Sequence, residues 1–283
     1  MPIIAFVGTA SSATAGILQP RLKPLLQVPC IALAACLCIA LPQAHAAEAK
    51  PAVEPLYLAP ASTLAPKQIE QMQQRLLDWP QLERYRKENA ALAPAKQGTQ
   101  RVVFFGDSIT EGWGPTGSER FFPGKPYVNR GISGQTTAQM LVRFRQDVLD
   151  LKPAVVVILA GTNDIAGNTG PSTQAMIEDN LHSMVELAKA HDIRVVLASV
   201  LPVSEYPWRP GAQPAEKVRS LNAALQRYAQ QQGIVYLDYY DAMANAAGGL
   251  DPALAKDGVH PTPAGYARMV PLAEQAIATA LRH

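Results

Sequence analysis

The sequence predicts an α/β fold in which a parallel sheet of about five strands lies between two layers of helices. Five short apolar runs rich in β-branched residues follow one another from Arg101 onwards, as expected for parallel strands covered on both faces. Segments with apolar residues at helical spacing separate these runs. The order of elements leaves the strand order open, and we expect a three-layer α/β/α arrangement with a flavodoxin-like, doubly wound sheet.

Residues 1–46 have the pattern of a signal peptide. Arg21 and Lys23 precede a largely apolar run over residues 25–41, and an Ala-x-Ala site ends at Ala46. We therefore expect cleavage after Ala46 and a periplasmic or secreted protein.

Two other interpretations of this leader stay open. The apolar run over residues 25–41 is at the short limit for a membrane anchor, and it contains Pro29. A lipoprotein is the second alternative, because the residues that end at Cys36 resemble the bacterial lipobox. Apolar residues continue after Cys36, however, where a lipoprotein normally becomes polar. The expected processed protein keeps no stable membrane span.

Charge and cysteine content exclude several functions. The chain has 25 Lys and Arg against 23 Asp and Glu, and loss of Arg21 and Lys23 with the leader leaves 23 against 23. This balance lacks the excess of positive charge that is typical of proteins that bind nucleic acid. All the cysteines lie in the leader, at Cys30, Cys36 and Cys38. The expected mature chain therefore has no disulfide, thiol nucleophile or thiolate metal site.

Residues 47–100 are expected to form an N-terminal arm and packing helices. The first part, to about Ala65, is rich in Ala and Pro and predicts an extended arm. Apolar residues then recur at helical spacing and predict a helix or helix pair that packs on the main body, with its aromatic residues in the core. These apolar positions are Ile69, Met72, Leu76, Leu77, Trp79, Leu82 and Tyr85.

Residues 101–283 are expected to form the α/β domain. Each predicted strand is short and apolar, and the last helix is predicted over about residues 263–281. The predicted strands cover residues 102–105, 127–129, 154–160, 193–200 and 234–237.

The first strand runs into a turn that carries a serine. Gly106 permits the turn, and Asp107 and Ser108 suit the start of a helix. Ligands bind at this end of the strands in open α/β sheets, and a helix terminus offers free N–H groups to an oxyanion. Taken alone, this stretch favours an ordinary helix cap at Asp107 or Ser108, and the rest of the chain decides.

Polar residues after several strands form a set suited to acyl transfer. Ser108, Gly134 and Asn163 each follow a strand, and Asp257 and His260 come from the loop before the final helix. Since parallel strands end on one side of a sheet, we expect these residues to converge. A hydroxyl nucleophile needs a base within hydrogen-bond reach, and a histidine oriented by a carboxylate is suited to that task.

Four segments of the sequence resemble the conserved blocks of the SGNH, or GDSL, hydrolases. The similarity runs from about Arg101 to the end of the chain, with isoleucine in place of the leucine of the first block. The segments are Gly106-Asp107-Ser108-Ile109, Asn129-Arg130-Gly131-Ile132-Ser133-Gly134, Gly161-Thr162-Asn163-Asp164 and Asp257-Gly258-Val259-His260.

The resemblance implies a serine esterase that needs no metal and no cofactor. Ser108 would be the nucleophile, His260 the base and Asp257 the residue that orients the base. The N–H groups of Ser108 and Gly134 and the side-chain amide of Asn163 would form the oxyanion hole. Scattered histidines elsewhere offer no metal site.

The substrate is expected to be a short-chain ester, with acetyl esters of carbohydrate as the favoured class. Trp208 and Arg209 lie in a loop that follows the fourth strand at the same edge, where they would suit a sugar or a polar acyl partner. Trp208 packing beneath its own loop is the structural alternative. Glu111 and Trp113 either border the pocket or face solvent. A lysophospholipase or thioesterase and a non-catalytic glycan-binding module are the alternative functions.

Overall fold

A computed structural model describes residues 60–92, 98–114 and 121–282, so the predicted leader and residues 47–59 of the arm lie outside the described residues. The sheet is parallel throughout, and its strand order is β2-β1-β3-β4-β5, which confirms the flavodoxin-like expectation. Its strands are β1 (Val102–Gly106), β2 (Tyr127–Gly131), β3 (Val155–Leu159), β4 (Arg194–Ala198) and β5 (Val235–Leu237).

Helices connect and cover these strands. Within the described ranges, none of the helices is long and apolar enough to cross a membrane. Two single 3₁₀ turns occur at Ala61–Thr63 and Leu149–Leu151. The α-helices are α1 (Pro66–Leu77), α2 (Arg86–Ala91), α3 (Ser108–Glu111), α4 (Thr137–Asp147), α5 (Thr162–Ala166), α6 (Gln174–Lys189), α7 (Pro214–Gln232), α8 (Tyr239–Met243) and α9 (Pro263–Arg282).

The two faces of the sheet carry separate cores because successive side chains of a strand point to opposite faces. In β1, Val103 and Phe105 pack in the core that α4, α6 and α7 cover. Val102 and Phe104 pack in the opposite core, beneath α8 and α9. Since β1 is buried along its whole length, its near-continuous apolar run is explained.

The strand order places a crevice above β1. Strand β1 lies between β2 and β3, and the chain connections run to opposite sides from this point. In doubly wound sheets ligands bind at such a switch point, beyond the carboxyl ends of the strands. The segments after β1, β2 and β3, which carry Ser108, Gly134 and Asn163, all begin at this edge.

The expectation that a helix or helix pair packs on the main body is wrong for the first helix. Helix α1 forms where its spacing predicts it, but it contains no buried residue. Leu76 and Leu77 are 75% and 79% exposed, and Trp79 is 38% exposed. Only Tyr85 of the predicted apolar positions is buried. Helical periodicity shows that one face of a helix is apolar, but it does not show what covers that face.

Candidate active site

Ser108 begins α3 immediately after β1. Asp107 caps this helix, and its Oδ1 accepts a hydrogen bond from Ile109 N–H at 3.0 Å. The turn is tight at Gly106, because a Cβ at this position would lie 2.1 Å from Thr110 Oγ1 and 2.8 Å from the Leu159 carbonyl oxygen. Strand, glycine and cap together leave the Ser108 side chain half-buried at the edge of the sheet.

The structure brings Ser108, His260 and Asp257 together. His260 Nε2 lies 3.0 Å from Ser108 Oγ, and His260 Nδ1 lies 2.8 Å from Asp257 Oδ2. An ionised Asp257 can only accept, so Nδ1 carries the proton of a neutral imidazole. Nε2 is then free to accept from the Ser108 hydroxyl.

A short loop holds the histidine and the carboxylate in this arrangement. Asp257 Oδ1 accepts from Val259 N–H at 3.1 Å and from His260 N–H at 2.8 Å, which leaves Oδ2 for the imidazole. Lys256 N–H donates to the His260 carbonyl oxygen at 2.7 Å and closes the loop. Burial alone would raise the pKa of Asp257, but the hydrogen bonds from His260 outweigh it and hold that pKa below its ordinary value. Asp257 is therefore ionised at neutral pH.

Two of the three predicted oxyanion donors have no internal acceptor. Within the described part of the chain, neither the Ser108 N–H nor the Gly134 N–H donates a hydrogen bond. Gly134 has a φ of +77°, a conformation that favours glycine. An unpaired N–H group at the edge of a site is available to an anionic oxygen of a ligand.

The third predicted donor is already engaged. Asn163 is buried, and its Nδ2 donates to the Gln135 carbonyl oxygen at 3.0 Å and to Asp107 Oδ2 at 3.3 Å. Its Oδ1 accepts from Asn168 Nδ2 at 2.7 Å. Asn163 can donate to a bound oxyanion only if one of its two donor contacts is exchanged, and the contact with Asp107 is the longer.

Of the two predicted residues in the loop after β4, Trp208 contacts the hydrogen-bond network of Asn163 through Asn168. Trp208 Nε1 donates to Asn168 Oδ1 at 3.2 Å, and the Trp208 ring lies 6.2 Å from the His260 ring between centroids. Arg209 has a buried Nη1 atom without a hydrogen-bond partner among the described residues. Trp208 therefore lies beside His260, whereas the unpaired Nη1 of Arg209 is buried.

Two buried carboxyl groups lie behind these residues. Complete burial raises the pKa of Asp107 to about 7, although the hydrogen bond from Ile109 N–H opposes this rise. Burial also raises the pKa of Asp164 to about 6, despite hydrogen bonds from the Thr137 hydroxyl and N–H. Asp164 accepts from Thr137 at the start of α4 and so connects α5 to α4. Asp107 connects the turn that carries Ser108 to Asn163.

Sequence reasoning missed Asn168 and left Glu111 and Trp113 open between the pocket and solvent. Trp113 packs in the aromatic core around Phe104, whereas Glu111 contacts Ser133, the neighbour of Gly134. Asn168 links Asn163 to Trp208. Glu111 and Asn168 are single polar residues, so no hydrophobic periodicity marks them. Among the described residues, no group of three or more His, Cys, Asp or Glu side chains could hold a metal ion.

The chain matches the GDSL-like Lipase/Acylhydrolase family over residues 104–268 and belongs to that family. A GDSL-like lipase from Bacteroides thetaiotaomicron is 49% identical with a TM-score of 0.68, covering 71% of this chain and 98% of that one. Esterase TesA of Pseudomonas aeruginosa is 28% identical over 190 residues, which are 63% of this chain and 88% of that protein.

A curated lipoprotein is also similar to part of the chain. The Uncharacterized lipoprotein YqeF of Bacillus subtilis is 35% identical over 130 residues, which are 38% of this chain. The chain spans about half of that relative, since the match covers 51% of its length. The family and its esterase relatives confirm the expected fold, the expected family and the expected class of carboxylic ester hydrolase.

Proposed function

We propose that this chain hydrolyses carboxylic esters through an acyl-enzyme formed on Ser108. His260 is the general base and acid, and Asp257 orients it. One observation carries the proposal: a single imidazole lies 3.0 Å from the Ser108 oxygen through Nε2 and 2.8 Å from the Asp257 carboxylate through Nδ1. This arrangement meets the requirement for a nucleophile, a base within hydrogen-bond reach and a group that fixes the tautomer of the base.

Acylation begins when Ser108 Oγ attacks the ester carbonyl carbon and His260 Nε2 accepts the hydroxyl proton. The ionised Asp257 stabilises the imidazolium that forms. His260 then gives the proton to the leaving alcohol as the carbon–oxygen bond breaks. In deacylation His260 takes a proton from water, the resulting hydroxide attacks the acyl carbon, and the Ser108 oxygen leaves with the proton.

The carbonyl oxygen becomes negative in both steps, and the Ser108 and Gly134 N–H groups are the donors for it. Asn163 joins them when its Nδ2 exchanges the 3.3 Å contact with Asp107 for the oxyanion. Each donor of this kind is worth about 3 kcal/mol of barrier. The exchange costs little because the contact with Asp107 is long and its partner titrates near neutrality.

The substrate that we propose is a short acyl ester, such as an acetyl ester of a carbohydrate. Trp208 supports a short acyl group, because its bulky indole is fixed to Asn168 and lies 6.2 Å from the His260 ring between centroids. Arg209 supports a polar partner, since it follows Trp208 and its Nη1 has no hydrogen-bond partner among the described residues, although that atom is buried before any rearrangement. Aromatic faces and guanidinium donors suit sugar rings and their hydroxyls.

An exported location completes the proposal. Two observations support it: the signal-peptide pattern over residues 1–46 and the similarity to a relative that is named a lipoprotein. Cleavage after Ala46 gives a periplasmic or secreted enzyme, and acylation at Cys36 gives a tethered one.

The decisive experiment is hydrolysis of p-nitrophenyl acetate, butyrate and octanoate by the chain from Ala47 and by Ser108→Ala. We expect the rate to fall with acyl length and to drop about 10⁴-fold or more in the variant. Ser183→Ala is the matched control, because the Ser183 hydroxyl only donates to Asp179 on the surface of α6. A fluorophosphonate should label the wild type and the control but not Ser108→Ala.

The outcomes separate the alternatives. Highest activity on octanoate would favour a lysophospholipase or thioesterase with a longer acyl pocket. Equal rates for the wild type and Ser108→Ala, together with no labelling, would refute the catalytic assignment and leave a glycan-binding module.

A further inference from the structure

We infer that residues 78–92, which we call the N-terminal brace, position the segment that carries the Gly134 N–H. In this assignment Glu111 and Arg84 are positioning residues that set the spacing between the two backbone oxyanion donors. The inference rests on the proposed function and gives a role to a segment outside the resemblance to known hydrolases.

Glu111 connects the nucleophile helix to the oxyanion segment. It lies in α3, three residues after Ser108, and its Oε2 accepts from both Ser133 N–H, at 2.9 Å, and the Ser133 hydroxyl. Ser133 directly precedes Gly134. One donor belongs to Ser108 and the other to Gly134, so this carboxylate fixes the distance between them.

The brace contacts the other carboxylate oxygen of Glu111, Oε1, through Arg84. Arg84 Nη2 donates to Glu111 Oε1 at 3.1 Å and forms an ion pair with it. Burial alone would raise the pKa of Glu111, but the hydrogen bonds from Ser133 and Arg84 lower it below its ordinary value. Glu111 is therefore ionised at neutral pH, and both of its oxygens are committed.

The brace also holds the residue that follows Gly134. Gln135 Nε2 donates to the Pro80 carbonyl oxygen at 2.8 Å, and the Gln135 side-chain oxygen accepts from Arg143. The backbone carbonyl of Gln135 accepts from Asn163. Gly134 has no side chain of its own to fix it. The residues on both sides of it are fixed instead: the brace contacts Gln135 directly and holds Ser133 only through Glu111.

The brace is anchored firmly enough to act in this way. Tyr85 is buried, and its hydroxyl donates to the Gly131 carbonyl oxygen at the end of β2. Asn89 Nδ2 donates to Asp147 at 2.7 Å, and Asn89 Oδ1 accepts from Arg130 at 2.8 Å. These contacts attach the brace to β2 and α4, the two elements between which the oxyanion segment lies.

Oxyanion stabilisation depends on donors that are already in place before the charge develops. A displacement of about 1 Å can cost about 10²-fold in rate. Loss of the Glu111 tie should therefore lower kcat and leave KM almost unchanged, because the donors act on the transition state rather than on the bound ester.

The experiment compares Glu111→Ala, Glu111→Gln and Arg84→Ala with the wild type on p-nitrophenyl acetate. We expect kcat to fall about 10-fold or more in Glu111→Ala and less in Arg84→Ala, with KM within about twofold. Glu111→Gln should recover part of the loss, because its amide oxygen can still accept from Ser133. The rate of inactivation by a fluorophosphonate should fall in parallel, since phosphonylation uses the same donors.

Arg86→Ala is the matched control. Arg86 pairs with Glu83 at 2.7 Å on the exposed side of the same brace and does not contact the oxyanion segment. Its kcat should equal that of the wild type. Thermal unfolding of every variant separates a positioning role from a loss of folded protein.

Full kcat in both Glu111→Ala and Arg84→Ala would overturn the inference. So would a rise in KM at constant kcat. If Glu111→Ala fails to fold, Arg84→Ala decides, because the Arg84 side chain is 42% exposed and its loss leaves no cavity. An active wild type with an inactive Ser108→Ala keeps the proposed function intact whatever the brace variants do.

Discussion

Asp257 uses its two carboxylate oxygens for different tasks, one for its own loop and one for the imidazole. In Asp257→Asn an amide keeps the size of the side chain but loses the charge that stabilises an imidazolium. We expect kcat to fall by about 10² to 10⁴-fold with little change in KM. Asp238→Asn is the control, because Asp238 only caps α8. Retention of a tenth of the wild-type kcat would argue against Asp257 as the orienting residue.

Asp107 should make the stability of the protein depend on pH. Its pKa is about 7 in the folded state and 3.8 in its unperturbed state, so only the unfolded chain is ionised between these values. The folded state therefore binds more protons than the unfolded chain in this range. The contribution of Asp107 to the free energy of unfolding decreases as pH rises from about 4 to about 7, and it is constant above that range. At 1.36 kcal/mol per pH unit, the decrease is at most about 4 kcal/mol.

The measurement is chemical denaturation of the wild type and Asp107→Asn between pH 4 and 8. As pH rises to about 7, the unfolding free energy of the wild type should decrease relative to that of Asp107→Asn. Asp164 titrates in both proteins and cancels in the difference. A difference that is independent of pH would show that Asp107 is not a buried neutral acid at low pH.

At the scale of elements, the close approach of α3 to β2 depends on Gly131. A Cβ at this position would lie 2.1 Å from the Glu111 nitrogen and 2.7 Å from the Thr110 carbonyl carbon, both of them backbone atoms. Gly131→Ala should therefore lower the free energy of unfolding by about 2 kcal/mol or more. Gly233→Ala is the comparison. A Cβ at Gly233 would have no atom within 4 Å, so only the positive φ destabilises this variant, by about 1 kcal/mol. Equal losses of stability in urea denaturation would contradict the close packing.

Arg143 of α4 connects three elements from a completely buried position. It donates to the carbonyl oxygens of Gly106 and Arg130 at 3.0 Å each and to Asp147 at 3.0 Å. Arg143→Met should cost about 3–5 kcal/mol, because it leaves the buried Asp147 without its cation. The double variant with Asp147→Asn should be more stable than Arg143→Met alone. Thermal or urea unfolding of the three variants measures the coupling, and purely additive losses would contradict it.

Sequence patterns predicted the strands well and the links between elements poorly. The runs that include Phe105 and Val157 are apolar because both faces of the sheet are covered, so burial leaves a direct mark on the sequence. The contact of Gln135 with the Pro80 carbonyl leaves no such mark, because the acceptor is a backbone atom that any residue could supply. The site residues at Ser108 and His260 could be proposed because their chemistry restricts the residue type.

At the scale of the whole molecule, the N-terminal region divides into two parts with different importance. Helix α1 has no buried residue, whereas the brace after it contacts β2, α4 and the oxyanion segment. A chain that begins at Asp78 should therefore match the chain from Ala47 in Tm and in kcat. A chain that begins at residue 93 should lose activity together with its brace contacts. Calorimetry and ester hydrolysis test both truncations, and a lower Tm for the chain from Asp78 would mean that α1 has a structural role.

The single contact between His260 and Ser108 joins residues 152 positions apart. During synthesis the serine leaves the ribosome long before the histidine exists, and in the proposed mechanism only the last loop before α9 supplies the base. An unassisted serine hydroxyl is a poor nucleophile. The growing chain therefore carries an inert alcohol in place of a reactive one. An incomplete chain that still lacks the loop with His260 would therefore not hydrolyse cellular esters.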